Sequence, residues 1–174
     1  MIPFQMIIDI SIAIVFLIIL IEDIKERQVH LWLFLIALLF FVIKFILADV
    51  QYSYLLINGS FILIQLTGIA FFNYLKNRRF FPFEGILGTG DLFMWGLLLF
   101  CFSPFNFITF FIISLLFSFV AHCIISRKYS NTIPLAGWQG LCYVLIIVMQ
   151  FAGWNYDLYS DYKWIDFISN VIER

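Results

Sequence analysis

The chain has 174 residues, of which 64% are hydrophobic and 12% are charged, and its mean hydropathy is +1.03. A soluble domain carries about 25% charged residues, so this composition excludes one and predicts an integral membrane protein. The formal net charge is −1 and no basic stripe is present, which favours no nucleic-acid partner. The three cysteines are scattered through apolar segments and predict neither a zinc site nor a disulfide framework.

Six apolar stretches are long enough, some only loosely, to cross a bilayer core that needs about 20 residues per helix. In chain order they are residues 7–21, 31–47, 54–75, 86–102, 105–125 and 138–154. The first is predicted to be a span and not a cleavable signal peptide, because the only charge near its start is Asp9, where a signal peptide would carry Lys or Arg, and no A-x-A-like cleavage site follows. The expected fold is an all-α polytopic membrane protein that forms one domain over residues 1–174.

Basic residues indicate the orientation of these spans. Seven of the ten Lys and Arg residues lie in the first, third and fifth loops, namely Lys25, Arg27, Lys76, Arg78, Arg79, Arg127 and Lys128. By the positive-inside rule these loops are cytoplasmic, and both termini are extracytoplasmic. The expected location is the plasma (inner) membrane.

The tail, residues 155–174, is more polar than the rest of the chain. Its apolar residues are compatible with a short interfacial helix that has Trp164 as an anchor. A frayed, exposed tail remains the alternative.

Asp91 is the first candidate for a functional residue. An ionised carboxylate in hydrocarbon costs several kcal/mol, so an acid within an apolar segment indicates function. The preceding stretch, Gly88-Thr89-Gly90, is predicted to be irregular backbone. Irregular backbone at that depth is tolerated only against protein or a wet cavity, so we expect a polar cleft open to the cytoplasm.

Asp23 is the second candidate, because it closes the first span on the same predicted side of the membrane. Two close carboxylates share a proton. One then takes a proton from the attacking water, and the other donates a hydrogen bond to the peptide carbonyl, with no metal or cofactor. The alternative for Asp23 is a solvated loop acid, paired with its charged neighbours between Glu22 and Arg27.

With these residues in place, the chain resembles the type IV prepilin peptidases and archaeal preflagellin peptidases, which belong to the GxGD membrane aspartic proteases. Asp23, Lys25 and Val29 match the family pattern around the first acid, and His30 replaces its proline. Around the second acid, Gly88, Gly90 and Asp91 match Gly-x-Gly-Asp-x-Lys, and Phe93 replaces the lysine. Before the last span, Ile133-Pro134 and the small residues that follow are similar to a further family segment.

The resemblance implies an aspartic endopeptidase with Asp23 and Asp91 as catalytic residues. It implies that the substrates are leader peptides of pilins, pseudopilins or archaellin-like subunits, cut at the cytoplasmic face. The four-cysteine zinc site of the larger methylating enzymes has no counterpart here, so no methyltransferase activity is expected.

Several residues are candidates for substrate binding or support, and some of them have an ordinary structural role as the alternative. Lys25 and Thr89 flank the two acids. Glu84 would bind the positive leader of a substrate, or it is an ordinary loop acid. Pro134 precedes the last span, and Gln139 either lines the cleft or joins helices by hydrogen bonds.

Other functions stay open at this stage. A small transporter or channel subunit could use Asp91 for proton or cation passage, and an inactive homologue of the peptidases would keep the same fold. A presenilin-like protease is disfavoured, since Glu22 stands where that group has a tyrosine. Two isolated histidines, His30 and His122, make a poor metal site.

Overall fold

The computed structural model describes residues 4–77, 88–126, 133–154 and 156–172, and it confirms the all-α prediction, with no strand in these ranges. The helices are α1 (Phe4–Glu26), α2 (Leu31–Leu47), α3 (Tyr52–Asn77), α4 (Thr89–Leu98), α5 (Pro104–Ala121), α6 (Leu135–Phe151) and α7 (Tyr162–Ile172). A π-helical turn, His122–Ser126, continues α5.

The lengths and compositions of the described helices are compatible with a membrane protein. Three of them, Phe4–Glu26, Tyr52–Lys76 and Pro104–Ile124, are long and apolar enough to cross a bilayer. Two shorter apolar helices, Leu31–Leu47 and Leu135–Phe151, accompany them. Large hydrophobic side chains cover the surface of these helices, which in a membrane protein is the surface that meets lipid.

Helix α4 is shorter than the stretch predicted at 86–102, because it has 10 residues and extends only about 15 Å. The chain turns after it, and the amide of Asn58 on α3 donates to the carbonyls of Leu99 (3.3 Å) and Phe102 (3.0 Å). These bonds satisfy two backbone carbonyls in the turn that follows α4. A polar side chain from α3 therefore allows α4 to end within the bundle.

Helix α1 is at the centre of the core and packs along α6 and α2. Phe16 is fully buried midway along α1, with its ring centroid 5.6 Å from those of Phe41 on α2 and Tyr143 on α6. Phe102 closes the cluster at 5.7 Å from Tyr143. We call these four residues the aromatic layer, and they fill the bundle at the middle of α1.

The segment 156–161 folds back onto the start of α5, so the frayed-tail alternative is wrong for these residues. Asn106 donates to the carbonyls of Leu158 and Ser160, both at 3.2 Å, and Leu158 is buried. The Asn106 carbonyl accepts hydrogen bonds from the Tyr156 hydroxyl (2.6 Å) and the Trp164 indole (2.7 Å). The predicted short helix is present as α7. The indole N–H of Trp164 donates its hydrogen bond to Asn106 within the protein.

Candidate active site

Asp23 lies in the last turn of α1, and its side chain points into the bundle. It is only 8% exposed, so the alternative of a solvated loop acid is wrong. Its Oδ2 accepts a hydrogen bond from the backbone N–H of Gly137 at 2.7 Å. Arg27, one turn later on the chain, interacts electrostatically with the same carboxylate. The first candidate acid is therefore a buried, hydrogen-bonded group.

Asp91 is the third residue of α4, and both of its carboxylate oxygens are bonded. Oδ2 accepts from the backbone N–H of Gly88 at 2.9 Å, and Oδ1 accepts from the N–H of Ala136 at 2.9 Å. The bond to Gly88 caps the start of α4, since an acid at this position satisfies a free amide. The prediction that Gly88-Thr89-Gly90 is irregular is wrong for Thr89 and Gly90, which are helical because this cap starts the helix at Thr89.

Both carboxylates accept hydrogen bonds from the same helix terminus, because Ala136 and Gly137 are consecutive residues in the first turn of α6. Consecutive backbone nitrogens in a helix are about 3 Å apart, so the two bonded oxygens lie within about 9 Å of each other. The charge of Asp23 acts on Asp91. We call Asp23 and Asp91 the aspartate pair, and the structure brings them together from residues 68 positions apart in the sequence.

The close approach of α6 to α1 depends on a glycine that the sequence analysis did not single out. A Cβ on Gly137 would lie 3.1 Å from the Leu20 Cα and 3.1 Å from the Asp23 Oδ2. One turn later, a Cβ on Gly140 would lie 3.5 Å from the Phe16 Cβ, which is an ordinary contact. The signal was present in the small residues after Pro134, but nothing in the sequence identified their partners.

The residues predicted to bind or support substrate differ in their burial and surroundings. Pro134 is buried at the N-cap of α6, directly before the amides that bind the pair. Lys25 and Thr89 are exposed beside the two acids. Gly90 packs near Phe34, where an added Cβ would lie 3.8 Å from the ring. Glu84 lies outside the described residues.

Gln139 is a connector of helices and not a cleft residue. Its side chain is fully buried, and its carbonyl accepts from the Trp95 indole at 3.2 Å. Its amide donates to the Ser114 hydroxyl at 3.4 Å. The network joins α4, α5 and α6 just beyond the aspartate pair, which keeps α4 and α6 at a fixed distance near the site.

The residues that depart from the family pattern also have defined surroundings. Glu22 accepts from the backbone N–H of His30 at 3.0 Å, and the His30 ring lies 3.1 Å from the same oxygen. This pairing fixes the turn between α1 and α2 directly beside Asp23. Phe93 is 48% exposed, and its ring centroid lies 5.6 Å from that of Phe34 on α2, with the two rings tilted by 30°.

A second charged site, which the sequence analysis missed, lies near the other end of α1. Lys44 of α2 donates to Asp9 at 2.5 Å, and both side chains are mostly buried. The pair faces a polar cavity of about 580 Å³, which Asp49, Tyr54 and Asp157 also line. Asp9 and Asp23 are separated by about 21 Å along the helix. Within the described ranges, no group of three metal-ligating side chains could hold an ion.

The arrangement of the aspartate pair suits acid–base chemistry on a bound water. Two carboxylates this close repel when both are ionised, so the pair holds one proton readily. Amides from the α6 terminus stabilise the remaining negative charge, because a helix N-terminus carries about half a positive charge.

Comparison with known proteins identifies no relative of this chain. No protein-family model matches it, and no curated protein or solved structure is significantly similar.

Proposed function

We propose that the chain is a membrane aspartic endopeptidase that cleaves leader peptides of type IV prepilin-like substrates, without methylating them. The observation that carries this proposal is the convergence of Asp23 and Asp91 on neighbouring amides of α6. A structural role alone does not require two acids from distant helices at one buried helix terminus, since a single N-cap side chain is enough. Acids that meet inside a membrane protein indicate a reaction site.

In the proposed reaction, the ionised member of the pair removes a proton from a water molecule, which attacks the peptide carbonyl. The protonated member donates a hydrogen bond to the carbonyl oxygen as negative charge develops there. The tetrahedral intermediate collapses when the leaving amine takes a proton from the pair. The cycle returns the pair to its single proton, and it requires no metal or covalent intermediate.

The proposed site faces the cytoplasm from the plasma membrane. The end of α1 and the start of α4 supply the aspartate pair, and the start of α6 binds it. The basic residues Lys25, Arg27 and Lys76 lie at the same predicted side. A substrate subunit is itself anchored in the lipid by its apolar helix. Its leader would therefore reach the aspartate pair from the cytoplasm.

The test is coexpression of the chain with a prepilin-like protein from the same genome, followed by measurement of the leader's mass. We expect the wild type to release the leader, and Asp23→Asn and Asp91→Asn each to abolish release while still inserting into the membrane. The Asp49→Asn variant is a control, because it changes an exposed acid at the cavity that Asp9 and Lys44 face, near the other end of the bundle. Cleavage by either variant of the aspartate pair would contradict the mechanism.

One observation favours a second candidate, ion or proton passage. The polar cavity and the Asp9–Lys44 pair place charge near the other end of the bundle. Against this, the aromatic layer separates Asp9 from Asp23, and Phe16 lies midway between them on the same face of α1. Flux assays in vesicles decide the matter, since proton flux that survives replacement of both Asp23 and Asp91 by asparagine, without cleavage, would favour transport.

A further inference from the structure

We infer that the aspartate pair is assembled before substrate arrives, and that the first turn of α6 is the element that assembles it. The catalytic meaning of this inference rests on the proposed peptidase function. The geometry of the pair does not depend on that function, so its assembly can be tested even in a protein that has no peptidase activity.

The first line of support is that each carboxylate is held by a separate amide of α6. The first amides of a helix have no partners inside the helix and must bind something else when they are buried. In α6 the N–H of Ala136 binds Asp91 and the N–H of Gly137 binds Asp23. Because these amides belong to one rigid turn, the positions of the two acids are set relative to each other.

The second line is the shape of the α1–α6 contact. Gly137 lies against Leu20, one turn before Asp23, and a Cβ at this position would be only 3.1 Å from the Leu20 Cα, so α1 would have to give by a few tenths of an ångström. The absence of a Cβ lets the amide of Gly137 approach Asp23 to 2.7 Å. Gly137 is therefore a positioning residue, which acts through Asp23 and not on substrate.

The third line is electrostatic. Asp23 meets the charge of Arg27, which directly follows its own helix, the charge of Asp91 from α4, and the amides of α6. The acid of Glu22 is already paired with His30. A helix N-terminus offsets the repulsion between two carboxylates, so the pair is stable together without a ligand.

The glycine amides provide a direct test, because one glycine reports on each acid. The chain has nine glycines, so [15N]glycine labelling gives a simple spectrum in detergent. Gly88 alone follows a leucine, and [13C′]leucine labelling therefore identifies it. Gly137 and Gly153 are the two that follow an alanine, and the Gly137→Ala variant tells them apart.

In the substrate-free wild type we expect the amide protons of Gly88 and Gly137 to titrate with pH, and that of Gly140, one turn deeper in α6, to stay constant. Asp91→Asn should abolish the Gly88 titration and move the Gly137 midpoint to lower pH by about one unit, because one of two repelling charges is gone. Asp23→Asn should in turn abolish the Gly137 titration and move the Gly88 midpoint to lower pH.

Independent midpoints for Gly88 and Gly137 would overturn the inference, and so would a Gly137 amide that does not titrate. Either result would mean that the acids do not meet in the free protein. Failure of the proposed function looks different, since the coupled titrations would persist while the leader stays uncut.

Discussion

Replacement of Gly137 by alanine tests the contact that holds α6 against α1. The added Cβ would lie 3.1 Å from the Leu20 Cα, 3.1 Å from the Leu20 Cδ1 and 3.1 Å from the Asp23 Oδ2. A side-chain atom can rotate away, but the Cα belongs to the backbone of α1. Relief of the contact therefore requires that the two helices separate, which lengthens the bond between the Gly137 amide and Asp23.

The expected change in the free energy of unfolding combines two destabilising effects and one stabilising effect. Overpacking of a close contact costs about 1–3 kcal/mol. Weakening of a hydrogen bond to a buried carboxylate costs about 1.5–3 kcal/mol. Alanine returns about 0.5–1 kcal/mol through its better helix propensity. We expect a net loss of about 1.5–5.5 kcal/mol in the free energy of unfolding. Relief of the contact requires a shift of a few tenths of an ångström, so we also expect a fall in kcat that is smaller than the roughly 100-fold loss caused by a displacement of about 1 Å.

The assay is unfolding in detergent together with leader cleavage, and Gly140→Ala is the matched control. The control makes the same substitution on the same face of α6, but its Cβ meets Phe16 at an ordinary 3.5 Å. We expect Gly140→Ala to keep wild-type stability within about 1 kcal/mol and to keep full activity. Wild-type behaviour of Gly137→Ala, or equal losses in the two variants, would refute the reasoning.

Two further predictions concern the part of the fold remote from the aspartate pair. Asn106→Ala should free the segment 156–161 and raise its amide exchange, with a loss of about 2–4 kcal/mol. Asn106→Asp should retain part of this loss, because a carboxylate still accepts from Tyr156 and Trp164 but cannot donate to the carbonyls of the segment. Unchanged amide exchange in Asn106→Ala would contradict the role of Asn106 in holding the segment 156–161. Asp9→Leu alone should cost about 3–5 kcal/mol by leaving Lys44 buried without its partner, and Asp9→Leu with Lys44→Met should recover most of it. Additive effects in that double-mutant cycle, measured by unfolding in detergent, would show that the pair is not coupled.

Local sequence features were enough to predict the helical membrane fold. The bounds of α2 agree with the predicted span at 31–47, because His30 directly precedes the apolar run and Asp49 closely follows it. The two acids stood out for the same reason, since charge in an apolar segment is rare and costly. These features depend on residue type at one place in the chain.

The partners of the acids could not be predicted, because they are backbone amides. Every residue except proline carries an N–H, so Ala136 and Gly137 have no side-chain signal for this role. The nearly continuous apolar runs also conceal which face of each helix is buried, and this hid the pairing of Asp9 with Lys44. The end of α4 at Leu98 was not predicted, because Asn58, which binds the carbonyls after that end, comes from another helix.

The sequence by itself determined that this protein is helical and apolar, and it identified Asp23 and Asp91 as the acids to explain. Only the tertiary structure decided that the two acids meet, since their meeting depends on where α6 begins and on how closely Gly137 lets it approach α1. The physical reason is that helix propensity and hydrophobicity are properties of single segments. The distance between segments is set by the fit of backbone against backbone.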